Sequence, residues 1–228
     1  MTMLVAIDSS TEIASLALAR DGRLLAETTW RSGQNHTVQL APNLTALLKL
    51  VGAETKDCGG IIVAKGPGSF NGLRVGVSFA KGLAYALAVP IVGIGTLEAA
   101  AYQYADTGLP VCVVYSAGRD EVATATYVKR DGVWQETAVP HITTLEQLAA
   151  RITERTLFCG EHMVQAGPGL QLLLGGKAVI ASATTDMRRA AYLLELGMKR
   201  LDAGDVDDAA TLQPVYLRRP PITVAKKK

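Results

Sequence analysis

At 228 residues and 24.1 kDa the chain is long enough to bury a substantial core and to divide into two lobes. An apolar fraction of 49% against 19% charged residues excludes a disordered chain. A net charge of +2 is too small to mark a nucleic-acid binder by charge alone.

Leu4 to Asp8 is an apolar strand, and Ser9-Ser10-Thr11-Glu12 is a polar turn. Strands from Ala14 to Arg20 and Leu24 to Thr29 follow, joined by the hairpin signal Asp21-Gly22. Asn35 to Val51 has helical spacing, with Leu40, Leu44, Leu47, Leu48 and Val51 on one face; Pro42 predicts a kink or a start near that residue. Residues 60–65 form a strand that ends in Gly66-Pro67-Gly68, a tight turn into a helix over 71–88. Asn71 is its expected N-cap. Along that helix Gly72, Gly76, Ala80, Ala84 and Ala88 recur four apart as a ridge of small side chains. Each helical glycine costs about 1 kcal/mol against alanine. The ridge is therefore expected to admit another backbone and to serve as a docking surface.

A strand over 91–94 and a helix from Thr96 to Ala105 close the first half, and 106–110 is the best linker candidate. The pattern then restarts with strands 111–115 and 121–129, the turn Asp131-Gly132, and a strand to Val139. A helix over 144–155 with Thr144 and Gln147 spaced as a capping box, a strand from Thr156 to Gly160, and a turn at Gly167-Pro168-Gly169 come next. A last helix spans Thr185 to Ala203, with Gly204 as its stop. One scheme of strands and helices is thus used twice, which argues for an α/β fold.

Residues suited to catalysis are scarce. The turn at Asp8, Ser9 and Thr11 either orders its own hairpin or forms a concavity for phosphate oxygens. The loop from Gly66 to Gly72 lacks the Gly-Lys-Ser/Thr of a P-loop, and its G-x-G-x-x-x-G spacing misses the dinucleotide fingerprint by one residue. His36, His141 and His162 form no H-x-x-H pair, and Cys58, Cys112 and Cys159 no C-x-x-C. No catalytic residue, metal or cofactor is expected. Asp8 interrupts the apolar start, and Arg74 and Lys81 break the best apolar run, so a cytoplasmic chain without a membrane span is expected. The basic end, Arg218, Arg219 and Lys226 to Lys228, is either solvated or a contact for RNA or a partner.

Ala6-Ile7-Asp8-Ser9-Ser10-Thr11, Lys65-Gly66-Pro67-Gly68-Ser69-Phe70-Asn71-Gly72-Leu73-Arg74-Val75-Gly76 and Pro214-Val215-Tyr216-Leu217-Arg218-Arg219 together resemble the TsaB (YeaZ) family over nearly the whole chain. The resemblance implies a two-lobed actin/sugar-kinase/Hsp70-like (ASKHA) α/β fold with a degenerate second lobe. One lobe would be residues 1–105 with the returning 185–228, the other 106–184. It further implies a non-catalytic subunit of the machinery that places threonylcarbamoyl on N6 of the adenosine beside the tRNA anticodon. The partners implied are the catalytic paralogue TsaD, the ATPase TsaE, a second copy when alone, and tRNA mainly through the complex. The docking surface implied comprises the helices at 35–51 and 71–88, with His36, Leu40, Leu44, Gly72, Leu73, Gly76 and Ala80 at the interface. The loop Gly66, Pro67, Gly68, Ser69, Phe70, Asn71 and Arg74 lies beside them, and Asp8, Ser9 and Thr11 form a vestigial phosphate loop. Two departures stand out: Ser116 occupies the place of a second acidic residue, and Cys159-Gly160-Glu161-His162 replaces a glycine-rich adenosine loop. Both bear against the alternatives, a small kinase-type phosphotransferase or an M22-type peptidase, the latter also lacking a histidine pair.

Overall fold

A computed structural model describes residues 2–185 and 187–218; Arg219 and Lys226 to Lys228 of the basic end lie outside the described residues. Two five-stranded sheets repeat one topology. In the first, β1 (Met3–Asp8), β2 (Ile13–Arg20) and β3 (Arg23–Arg31) form an antiparallel meander. Then β4 (Cys58–Gly66) and β5 (Ile91–Gly95) add in parallel on the other side of β1, giving the order β3-β2-β1-β4-β5. The second sheet does the same with β6 (Val111–Gly118), β7 (Glu121–Arg130), β8 (Val133–Thr143), β9 (Thr156–Cys159) and β10 (Ala178–Ile180), in the order β10-β9-β6-β7-β8.

The period-two alternation of β1 explains how its sheet is covered. Met3, Val5 and Ile7 point to one face, where α1 (His36–Leu50) and α2 (Phe70–Leu87) supply Leu40, Leu44, Leu47, Val77, Ala80 and Ala84. Ala6 points to the other face, against Leu193 and Leu194 of α6 (Ala190–Asp202) and Ala99 of α3 (Thr96–Tyr102). The last helix thus returns to β1, β2 and β4 of the first sheet. Short α4 (Leu145–Ala150) and α5 (Met163–Leu174) cover the second sheet through Leu148, Met163, Ala166 and Leu170. Leu97 and Ala101 of α3 join the core of the second sheet, so this helix lies between the two sheets. None of the helices among the described residues is long and apolar enough to cross a membrane.

Three local expectations are corrected, and the alternative of a helix start near Pro42 is set aside. Ser69, not Asn71, caps α2: its side chain accepts a hydrogen bond from the Gly72 N–H at 3.3 Å, and Asn71 is exposed inside the first turn. Helix α1 begins at His36 and keeps Pro42 within it, on the exposed side. Gly167-Pro168-Gly169 lies inside α5 instead of making a turn, because Gly167 packs against Ile180 of β10 and Pro168 faces outward. The last helix starts at Ala190, five residues later than the spacing predicts.

The ridge on α2 is also corrected. Gly72 and Gly76 pack on Ser9 of the chain's own β1–β2 turn, and Ala80 is fully buried in the core below. A Cβ at Gly72 would collide with the Ser9 carbonyl oxygen, and one at Gly76 with the Ser9 hydroxyl. Gly82 differs, since a Cβ there meets nothing within 4 Å. Gly72→Ala should therefore destabilise the chain most, because a backbone oxygen must shift. Gly76→Ala should lose about 1–3 kcal/mol, and Gly82→Ala should gain up to about 1 kcal/mol from helix propensity. Chemical denaturation of the three variants checks this order; equal effects would contradict it.

Candidate functional site: the cleft between the sheets

The C-terminal ends of β1 and β6 face a cleft of about 1170 Å³ between the two sheets. On the first side the β1–β2 turn is stitched to the loop before α2. The Ser69 N–H donates to the Ser10 carbonyl at 2.6 Å, and Ser9 Oγ donates to the Gly72 carbonyl at 2.8 Å. Ser10 turns back on Asp8, its N–H and Oγ donating to Oδ1 at 2.9 and 2.6 Å. One side of the Asp8 carboxylate is thereby satisfied by its own turn.

Arg188, from the segment leading into α6, takes the other side. Its Nε lies 3.0 Å from Asp8 Oδ2 and its Nη1 lies 3.1 Å from Glu161 Oε1, both ion pairs off the ideal hydrogen-bond direction. Nη2 donates to Thr11 Oγ1 and to the Ile13 carbonyl, each at 3.0 Å. Thr11 Oγ1 in turn donates to Glu161 Oε1 at 2.7 Å. The Tyr115 ring lies with its centroid 5.8 Å from the guanidinium carbon. Side-chain exposure is 4% for Arg188 and 2% for Asp8, so this is a buried pair, with Glu161 at 21% forming its outer edge. Burial works against the arginine's charge, but Asp8, Tyr115 and Glu161 outweigh it and raise its pKa.

The expected phosphate-loop residues Asp8, Ser9 and Thr11 are thus brought together, and a cation from the same chain already occupies them. Ser116 stands at the sixth residue of β6, as Asp8 does in β1, and its Oγ only accepts from the Gly118 N–H at 3.3 Å. No group of three or more metal-capable side chains occurs among the described residues. The sequence reading missed Arg188. The available signal was a pair of arginines, Arg188 and Arg189, just ahead of a helix N-terminus, where the macrodipole disfavours cations.

The interface residues expected from the sequence are placed otherwise than the reading required. His36, Leu40, Leu44, Gly72, Leu73, Gly76 and Ala80 are all buried within this chain, His36 and Gly72 at the edge of the cleft and the others in the first sheet's own packing. In the loop, Gly66 and Pro67 are buried, while Gly68, Ser69, Asn71 and Arg74 are exposed. Phe70 is sandwiched by the Arg74 guanidinium, 3.8 Å from its centroid, and the Tyr216 ring at 5.2 Å. Arg218 pairs with Glu121 and donates to the Ala117 carbonyl at 3.3 Å.

Two repeated sheets flanking a central cleft define a protein of the actin/sugar-kinase/Hsp70 (ASKHA) class. A family model described as TsaD: tRNA N6-adenosine threonylcarbamoyltransferase matches residues 25–172. The chain is 32% identical to the tRNA threonylcarbamoyladenosine biosynthesis protein TsaB of Bacillus subtilis, covering 96% of this chain and 94% of that one. It is 29% identical to the Escherichia coli protein of the same description over 99% and 97% of the two. YeaZ from Pseudomonas aeruginosa superposes with a TM-score of 0.81 at 27% identity, covering 95% of this chain and all of that one. The chain belongs to the TsaB (YeaZ) family of tRNA threonylcarbamoyladenosine biosynthesis proteins.

His36 lines the cleft with its Nε2 buried and without a partner. Burial lowers its pKa below the ordinary 6.5, against the raising effects of the Thr11 backbone and Asp8. As pH falls the unfolded chain binds this proton first, so stability present above about 6.5 is lost as pH drops toward the folded value. A His36→Gln variant should show a flatter stability profile from roughly pH 7 to 5. An unchanged acid sensitivity would contradict this assignment.

Proposed function

We propose that the chain is a non-catalytic partner subunit for threonylcarbamoyl transfer to N6 of the adenosine beside the tRNA anticodon, and that it binds a catalytic TsaD-type subunit through the outer faces of α1 and α2. The observation that carries this reading is Gly82. It costs about 1 kcal/mol of helix propensity and has no neighbour in its own chain that would require it. Around it, Ser78, Ala86 and Tyr85, the last 87% exposed, make an uncharged face. The adjoining α1 adds Val38 at 69% and Leu50 at 76% exposure, together with Ala41, Thr45 and Ala46. Lys81 is drawn aside to the carbonyls of Ala210 and Leu212, at 3.2 and 3.0 Å. A two-helix apolar patch with a glycine at its centre suits close packing of partner helices.

In this reading residues 1–105 with 185–228 form one lobe and 106–184 the second. The exposed loop residues Gly68, Ser69, Asn71 and Arg74 border the interface, a TsaE-type ATPase joins the assembly, and tRNA is met mainly through the complex in the cytoplasm. A second copy would use the same patch when the partner is absent. The absence of catalysis is supported by Asp8, whose carboxylate is already engaged by Arg188 and Ser10.

Gly82→Arg places a long charged side chain on the outer face without touching the core. It should weaken binding to the TsaD-type subunit at least tenfold, about 1.4 kcal/mol, in calorimetry or gel filtration, with a melting temperature that is equal or higher. Normal binding by a stable variant would contradict the interface.

A further inference from the structure

We propose that Arg188 is an internal latch, which holds the cleft at one opening by bridging the two sheets from within. This goes beyond the partner role and stands independently of it. Arg188 touches Asp8, Thr11 and Ile13 at the end of the first sheet, and Glu161 at the end of the second. The Thr11 hydroxyl closes the circuit by donating to the same Glu161 oxygen. Around the guanidinium lie these two carboxylates, one hydroxyl, one carbonyl and the Tyr115 ring, with the His36 imidazole near enough to feel its charge.

The position of the latch matters because the buried part of the junction is otherwise apolar; the other polar tie is the partly exposed Arg218, which reaches Glu121 and the Ala117 carbonyl from a segment bonded to Lys65. Leu97 and Ala101 of α3, and Tyr102 against Trp134 of β8, lie between the sheets, ring centroids 5.4 Å apart. Such packing is non-directional, and on its own sets no unique angle between two bodies. A buried guanidinium at ion-pair distance from a carboxylate on each body, and held to the first by two directed hydrogen bonds, does narrow that angle, because both distances must be met together. The latch also supplies the positive charge that the buried Asp8 carboxylate needs. Any cationic or metal-bound ligand approaching Asp8 must displace Arg188 first.

The test is a distance measurement across the cleft by pulsed electron resonance. Spin labels are placed at Thr37→Cys on α1 and Gln165→Cys on α5, both exposed at the cleft. The native Cys58, Cys112 and Cys159 are buried, and burial raises the Cys58 thiol to about 11, so none competes for label. The latched chain should give one narrow distance. Arg188→Met should broaden and lengthen the distribution. Glu161→Gln, which leaves the buried Asp8–Arg188 pair intact and releases only the second sheet, should do the same to a smaller extent. This second variant decides the matter if Arg188→Met fails to fold. A lower melting temperature with an unaltered distance would show Arg188 to be a stabilising core charge, and would overturn the latch.

Discussion

The buried pair of Arg188 with Asp8 is the constraint on which the arrangement of this chain depends. Removing two charges from water costs several kcal/mol per ion, which is recovered only when geometry and hydrogen bonding are nearly complete. Here the charge is balanced and part of the hydrogen bonding is met: Ser10 gives Asp8 two donors, Nη2 of Arg188 reaches Thr11 and Ile13, and its Nε and Nη1 sit at ion-pair distance from Asp8 and Glu161 without a directed hydrogen bond. The pair can form only if the chain, after building the second sheet, returns to the first. That return is made by α6, whose leading segment carries Arg188 and whose Leu193 and Leu194 cover Ala6 and Ile62.

The duplicated topology explains why the cleft has lost its symmetry. β1 and β6 hold corresponding places in their sheets, so a kinase-like member of this fold class would present an acidic side chain from each. Here one end presents Asp8, engaged by an arginine, and the other presents Ser116, bonded within its own turn. Glu161 supplies the second negative charge, aimed at Arg188 instead of at a ligand. The Asp8 and Glu161 carboxylates are thus both engaged by Arg188, while the outer face of α1 and α2 keeps apolar surface and a glycine that internal packing leaves unexplained.

Much of the fold was legible in the sequence because strands and hairpins write themselves in period-two patterns and in Asp-Gly turns. The meander of β1 to β3, the parallel addition of β4 and β5, and the repetition in the second half followed from that patterning. The local failures have a common cause, which is that short signals are ambiguous without their neighbours. Gly-Pro-Gly makes a turn at 66–68 but is helical at 167–169, where Gly167 fits against Ile180. Ser69 and Asn71 are both good caps, and the stitching of Ser69 to Ser10 selects the earlier one. The spacing of Gly72, Gly76 and Ala80 correctly marked a close approach but could not name the approaching body, which is Ser9 of the same chain. Arg188 was invisible for a different reason: its partners lie about 175 and 180 positions upstream and in the other half of the fold, distances over which no periodicity reports.

If the Asp8 end of the cleft is taken by the chain's own arginine, the cleft should not accept a nucleotide. Titrating magnesium-ATP into the isolated chain, followed by calorimetry, measures this directly. No saturable heat is expected up to millimolar nucleotide, with no phosphate released over hours. Saturable binding in the low micromolar range, strengthened by Arg188→Met and abolished by Asp8→Asn, would place a nucleotide where Arg188 stands and contradict the account.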